Sequence, residues 1–523
     1  MSGLDKIFWW QRKVVLAVLT VVSILPLLWP ALPPLTDLPG HVARWHIAAA
    51  APGSPLERYF HIEWVPVGNL GTDLPGVLLT PLIGALAAGK TIMIGVVMLT
   101  VAAMLWLARE AHGRVPPTAI AALPLAFAWP FQLGFANFVL AQALAIGSLA
   151  LWLRTSERRP AARAAIFAPV GMAIWIAHSA GWGLFGMMAF GAELAALRDR
   201  GCNWPRSIAR SLTACLPLAL PILVMIARAP ASGRGADTGD WFDFSAKLVW
   251  SISVLRDRWQ WFDMASLGLL LLLLYVAVRS RIGFDRRIGA AALSCLVAFL
   301  LLPRLLMGGA YVDMRALPLA WILILLAIRP PAERRFASGL AFVALAFFSI
   351  RTGATMLSFI QRAAEQRAEL GALAAIPRGS SVLSLVSRPC LTPWDDRRDQ
   401  HLPAYAIVAR DAFTNEQWMI AGQQYLTLGS GGRHGFDSDP TQLVYPAGCP
   451  VRALSVDRAL AIFPRAAFDH VWLIGHRLSR PQDMGLSERW TNGRSALYQV
   501  AGKAVPVQVE RRRETGAGER AGS

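Results

Sequence analysis

Residues 34–46 read Pro-Leu-Thr-Asp37-Leu-Pro-Gly-His41-Val-Ala-Arg44-Trp-His46, which places a carboxylate, two imidazoles and a guanidinium within ten residues. The stretch directly follows the first long apolar run. Polar chemistry at a membrane boundary costs desolvation energy and is usually kept for function. A carboxylate held away from water can take a proton from a hydroxyl or an amine, and a guanidinium can hold a phosphate oxyanion. The competing reading of the same residues is an ordinary interfacial loop whose charges sit in headgroup water.

The elements that must position these groups follow from composition. Of 523 residues, 55% are hydrophobic and 16% charged, with a mean hydropathy of +0.44. A soluble chain would carry about a quarter charged residues. Apolar stretches recur from Val14 to Ile350, so the expected fold class is an α-helical polytopic membrane protein. About eleven spans are expected, the first at about 14–32 and the last at about 336–351. Pro30, Pro33 and Pro34 follow the first run where a small-residue cleavage site would stand, so it is kept as a span. The segment 65–89 is broken by Pro66, Gly68, Pro75 and Pro81 and is expected to lie on or dip into the outer face, a true span being the alternative.

A net charge of +18 would suggest nucleic acid in a soluble domain. Here the arginines cluster in short loops between spans, and the positive-inside bias explains them with a single parity throughout. Nucleic-acid binding is therefore rejected. The same parity makes the N-terminus cytoplasmic and sends everything after the last span outside. From about residue 353 the composition turns polar. Residues 353–376 read as an amphipathic helix, and Ser380–Val386, Tyr405–Val408, His470–Gly475 and Ala496–Val500 read as strands with turn formers between them. The expected division is a membrane domain at 1–352 with an outer first loop at 33–90, a small α/β domain at 353–502 and a disordered basic tail at 503–523.

This topology collects Asp37, His41, Arg44, Glu63, Asp73, Asn137, His178, Asp313 and Arg315 on one side of the membrane. Singly, each has a plain reading: His178 as a helix-end histidine, Asp313 and Arg315 as partners of headgroups or of each other, Asn137 as a cap. Trp29, Trp129, Trp182, Trp241 and Trp261 fit an interfacial aromatic belt. No Cys/His spacing suggests a metal. Cys390 and Cys449 are the cysteines of the outer domain and form a disulfide candidate.

One N-terminal span, an outer loop opening with an acidic residue, a half-buried segment, many spans and an outer C-terminal domain together resemble the GT-C fold. That fold is used by polytopic glycosyltransferases with polyprenyl-phosphate sugar donors, such as the protein mannosyltransferase and aminoarabinose transferase families. Thr36-Asp37-Leu-Pro-Gly-His41-Val-Ala-Arg44 and Gly134-Phe-Ala-Asn137-Phe also look like uncharacterised bacterial membrane proteins of this type. The resemblance covers the layout of roughly residues 1–350. It implies a bacterial inner-membrane enzyme with a periplasmic C-terminal domain, moving a sugar to a glycan, lipid or protein acceptor. Asp37 stands where it puts the catalytic acid. Arg44 or Arg315 would hold the lipid phosphate, His41 and His178 would be secondary contacts, and Glu63 or Asp73 would position the acceptor. Many members pair two acids in the first loop, whereas here Asp37 stands alone. Asn137 sits where a second acid is sought, so no cofactor or metal is expected beside the lipid-linked donor.

The competing class is a transporter or an envelope-assembly scaffold. A transporter should show mid-span charges and paired halves with broken helices. The polar groups here gather instead at the outer ends of spans.

Overall fold

The computed structural model describes residues 8–227, 238–420, 423–429, 431–449 and 454–502. The expected basic tail and the part of the outer loop that holds Asp237 lie outside these residues. Seven helices among the described residues are long and apolar enough to cross a bilayer, the first at Ala85–His112 and the last within Arg334–Ala375. The other four expected spans fall on shorter elements: Lys13–Val22 with Leu25–Leu28, Pro117–Ala122 with a 3-10 turn at Leu123–Phe127, Arg286–Leu301, and Ala316–Ala327. At 1.5 Å per residue the twelve-residue Ala316–Ala327 reaches only about 18 Å. Its side chains are buried apart from Trp321 and Ile324, so it packs against protein rather than lipid.

The basic loops converge on one end of the bundle. Arg200 pairs with Glu157, Arg286 with Asp199 and Arg154 with Glu110. Phe284 bridges Ile328, and Trp10 and Gln11 both donate to the Val115 carbonyl at the same end. The C-terminal domain covers the opposite end, as the alternation of basic loops requires.

Three helices set the site. Helix α1 spans Leu38–Ala48, α2 spans Asp73–Ile83, and α3 spans Ala85–His112. Gly84, with φ of +84°, breaks the chain between α2 and α3, so residues 85–89 belong to the long helix and not to the surface segment expected over 65–89. Leu78 and Leu82 on α2 are exposed, as a helix lying along apolar surroundings would have them. Helix α1 is buried on every side except at His46 and Ala48. Leu38, Val42 and Trp45 belong to the core of the bundle, whereas Ala43 and Ile47 belong to the core of the C-terminal domain. One eleven-residue helix is thus shared by two cores.

A single 37-residue helix, α4 at Arg334–Leu370, carries the chain out of the bundle. The expected boundary at 352/353 has no counterpart, because span and amphipathic helix are continuous. The domain that follows is built on a six-stranded mixed sheet. Ser381–Ser387 runs parallel to Phe413–Thr414, Leu443–Val444 and His470–Ile474, and Ala496–Val500 pairs antiparallel with His470–Ile474 and Leu486–Thr491. The stretch expected as a strand at Tyr405–Val408 is a helix, α5 at Ala404–Arg410, packed against α1. Its run Ala-Tyr-Ala-Ile-Val-Ala is short enough to satisfy either period, and the alanines let it lie close against α1. Phe60–Ile62 pairs antiparallel with Leu426–Leu428, tying the first loop to the same domain. Of the tryptophans assigned to a belt, Trp29, Trp241 and Trp261 are exposed, but Trp129 is buried beneath the Arg256 guanidinium.

Cys390 is bonded to Cys449 across 59 residues, while Cys202, Cys215 and Cys295 are free. Denatured, unreduced protein should therefore take up alkylating reagent at those three cysteines, and reduction should add Cys390 and Cys449. Labelling of the last two without reductant, read by peptide mass spectrometry, would contradict the pairing.

Candidate active site

Asp37 is the N-cap residue of α1, yet its side chain makes no capping hydrogen bond. Its backbone is tied to the following turn of the bundle instead: the Asp37 N–H donates to Leu133 O at 2.9 Å, and Thr36 N–H donates to Gln132 O. Gly134 makes this approach possible. Its φ is +80°, and a Cβ there would lie 2.8 Å from the Asp37 nitrogen. The carboxylate accepts no hydrogen bond among the described residues. Its side chain is 19% exposed. Burial pushes its pKa up to about 7, against the opposing pull of His401.

Two turns along, Arg44 and Asp73 form an ion pair buried to 1% and 0% exposure. Asp73 Oδ1 accepts from Arg44 Nε at 2.9 Å, Trp45 Nε1 at 3.0 Å and the Tyr425 hydroxyl at 3.1 Å. Its Oδ2 accepts from Asn137 Nδ2 at 2.7 Å and from a second Arg44 nitrogen at 3.4 Å. Burial works against the charged form of Asp73, but Arg44, His41 and the donated hydrogen bonds hold its carboxyl below the usual range. The remaining Arg44 donors meet His41 Nδ1 and the Gln424 side chain. Burial and the facing Arg44 lower His41 to about 3. Asn137 Oδ1 accepts from the Thr72 N–H and hydroxyl, both at 2.6 Å. His41, Arg44, Asp73 and Asn137 thus form one saturated cluster. Arg44, expected as a candidate for phosphate, is taken up by Asp73, His41 and Gln424, and both Asp73 oxygens already accept hydrogen bonds.

Arg315 differs. It is 8% exposed, and its pKa is lowered to about 10 by burial, against the pull of Asp37. One amino group faces His178 Nε2 at 2.7 Å and the other donates to Ala310 O at 3.1 Å. Its Nε has no partner, and no carboxylate among the described residues pairs with it. Phe135 and Phe138 wall its guanidinium at 4.6 and 5.2 Å. His178 also serves as the helix-end residue, its Nδ1 accepting from the Ala180 N–H. Asp313 pairs with Lys247 at 2.9 Å, and Glu63 is exposed, so neither joins the cluster.

The C-terminal domain supplies groups that the sequence did not single out. His401 Nε2 lies 3.8 Å from Asp37 Oδ1, and its Nδ1 lies 3.0 Å from Glu416 Oε2. Burial works against the charged imidazole, but the Glu416 hydrogen bond and the Asp439 and Asp37 carboxylates raise it to about 9. Trp418 covers His401 and His41, with ring centroids 4.4 and 5.3 Å away. Gly40 admits this indole, since a Cβ there would lie 2.8 Å from it. No local pattern announces His401 or Glu416, which stand more than 360 residues from Asp37 in the chain. Separately, a cavity of about 790 Å³ opens at the far end of α1, lined by His46, Thr80, Gly84, Arg378 and Asp411 among others. Of the chemical groups in the 34–46 stretch, His46 alone lines it.

No protein-family model matches the chain, and no curated protein matches it. Among solved structures, it is similar to the crystal structure of ArnT from Cupriavidus metallidurans bound to undecaprenyl phosphate. The TM-score is 0.50 at 14% sequence identity, covering 94% of this chain and 99% of that one. The fold is therefore GT-C-like. With its apolar helices, the chain is a multi-pass membrane protein carrying a C-terminal sheet region.

Removing one member of the buried pair strands the other. Asp73→Ala should cost about 3–5 kcal/mol, read as a fall in the thermal midpoint of the detergent-solubilised protein. The double replacement Arg44→Met/Asp73→Leu should recover part of that loss. A single variant as stable as the parent would remove the pair from its structural role.

Proposed function

We propose that the protein is an integral membrane glycosyltransferase that moves a sugar from a polyprenyl-phosphate donor to an envelope glycan, lipid or protein acceptor on the periplasmic face. One observation carries this reading: in a GT-C-like bundle, a carboxylate free of hydrogen bonds shares a buried site with a guanidinium that has no carboxylate partner. The structural neighbour's bound undecaprenyl phosphate supports the class of donor.

In the reaction the acceptor hydroxyl or amine gives its proton to an Asp37 oxygen as its lone pair attacks the anomeric carbon. The bond from that carbon to the phosphate oxygen breaks, and its electrons stay on the departing polyprenyl phosphate. Arg315 holds that phosphate through its N–H donors, the unpartnered Nε among them. Arg44 and Asp73 build the wall of the site, and His41 and His178 are polar contacts within it. The lipid-linked sugar is the substrate, and the reading calls for no cofactor.

Asp37→Asn keeps size but removes the base, and transfer should fall by ~10²–10⁴-fold with protein level unchanged. Arg315→Ala should raise the KM for donor more than that for acceptor. Because Asp37 acts as the anion and its pKa is raised to about 7, the rate should climb with pH through about 7 and be lost below it. Full transfer by Asp37→Asn would show that Asp37 is not the base, whereas a deletion strain without a glycan or lipid-linked sugar defect would hand the protein to the scaffold or transporter reading. Orientation is tested separately: alkaline phosphatase fused after Val386 should be active and at Arg158 inactive, and the reverse pattern would invert the proposed face.

A further inference from the structure

The His401–Glu416 pair stands buried beside Asp37. Both side chains are fully buried, and a buried acid–base pair is often no more stabilising than apolar residues of the same shape. The pair is nevertheless built with care. Glu416 Oε1 accepts from Gln417 Nε2 at 2.6 Å, and the same nitrogen donates to Gly40 O at 3.0 Å in the first turn of α1. His401 precedes α5, which packs on α1, so backbone as well as side chains fix the imidazole relative to Asp37. Its free edge, Nε2, is the edge turned toward Asp37; the Gln400 side chain stands 3.5 Å from it.

We propose that His401, charged and held by Glu416, is a positioning residue that keeps Asp37 ionised in its buried setting, so that the base exists only when the C-terminal domain is docked on α1. The inference rests on the reading of Asp37 as the base. The charged groups that act on Asp37 are His401 and Arg315, which favour its ionised form, and Asp439 and Glu416, which oppose it. Those facing His401 are Glu416, Asp439 and Asp37, with His41 also nearby. Arg315 cannot substitute for the imidazolium, because in the proposed reaction its charge is taken up by the departing phosphate. No proton passes to Glu416: the acceptor's proton goes to Asp37, and His401 keeps its own on the bond to Glu416. The carboxylic acid then releases its proton to water once product leaves.

The test uses the full chain in lipid nanodiscs and reads Asp37 directly. Labelling with a water-soluble carbodiimide and an amine requires a protonated carboxyl, so its pH midpoint, followed on the Asp37 peptide by mass spectrometry, reports where Asp37 ionises. In His401→Gln the midpoint should rise by ~1–3 pH units, the usual effect of losing an opposite charge this close. His401→Lys should return it toward the parent. Where His401→Gln does not fold, the smaller His401→Asn gives the same reading, since it removes the imidazolium and leaves every other charge in place. The acid limb of the transfer rate should move with the midpoint, with the rate recovering at high pH; a merely structural role would depress transfer at every pH. An unshifted midpoint in the folded variants overturns the inference whether or not transfer is seen. Absence of transfer by the parent protein, with the midpoint still shifting, overturns only the assignment of Asp37 as the base.

Discussion

The fully buried Arg44–Asp73 pair is the constraint around which the structure closes. A lone carboxylate at 0% exposure would be expelled or protonated, because its desolvation penalty is several kcal/mol even after relaxation. It stays ionised because donors arrive from three parts of the chain: Arg44 and Trp45 on α1, Asn137 at the start of Ala136–Arg154, and Tyr425 in the C-terminal domain. None of these donors can leave without stranding the others. The first loop, the bundle and the domain therefore hold one relative position, and Asp37, two turns before Arg44 on the same helix, inherits it.

A second set of buried charges makes the same joint at the other flank. Asp257 accepts from Ser358 at 2.7 Å and from Arg398 at 3.0 Å, and Arg398 also donates to Pro34 O at 3.0 Å, just before Asp37. Asp263 pairs with Arg351 and receives Trp394 Nε1 at 2.7 Å. Helix α4 supplies Arg351, Ser358 and Arg362 to this network. Its unbroken passage from bundle to domain lets one rigid rod present partners at both levels. Hydrophobic contact alone would tolerate sliding along such a boundary; directional hydrogen bonds to buried carboxylates do not.

The sequence made some of this legible and hid the rest for identifiable reasons. The alternation of arginine loops located the two ends of the bundle, because charge is excluded from lipid wherever the chain turns. The Asp37–Arg44 stretch stood out because polar types crowd where an apolar run ends. Ser381–Ser387, His470–Ile474 and Ala496–Val500 lie within a residue of where composition placed them. Arg44 and Arg315 looked equivalent as phosphate ligands, since residue type carries no record of which guanidinium is already paired. His401 and Glu416 were invisible because they acquire meaning only through α5 packing on α1, a contact between remote segments. The stretch at 405–408 misled for the related reason that a short apolar run takes its form from what it packs on.

The side chains that the C-terminal domain brings to Asp37, Asp73 and their partners His41 and Arg44 lie within the segment closed by Cys390 and Cys449: His401, Glu416, Trp418, Gln424, Tyr425 and Asp439. Among its described residues that segment has one seven-residue helix and three strands of two or three residues, so little regular structure within it resists unravelling. The covalent closure shortens the list of unfolded forms that the whole group can visit. Maturation of the site thus becomes a matter of where the chain finds itself. In a reducing compartment that constraint is missing, and the entropy the chain must give up to bring this group together is correspondingly larger.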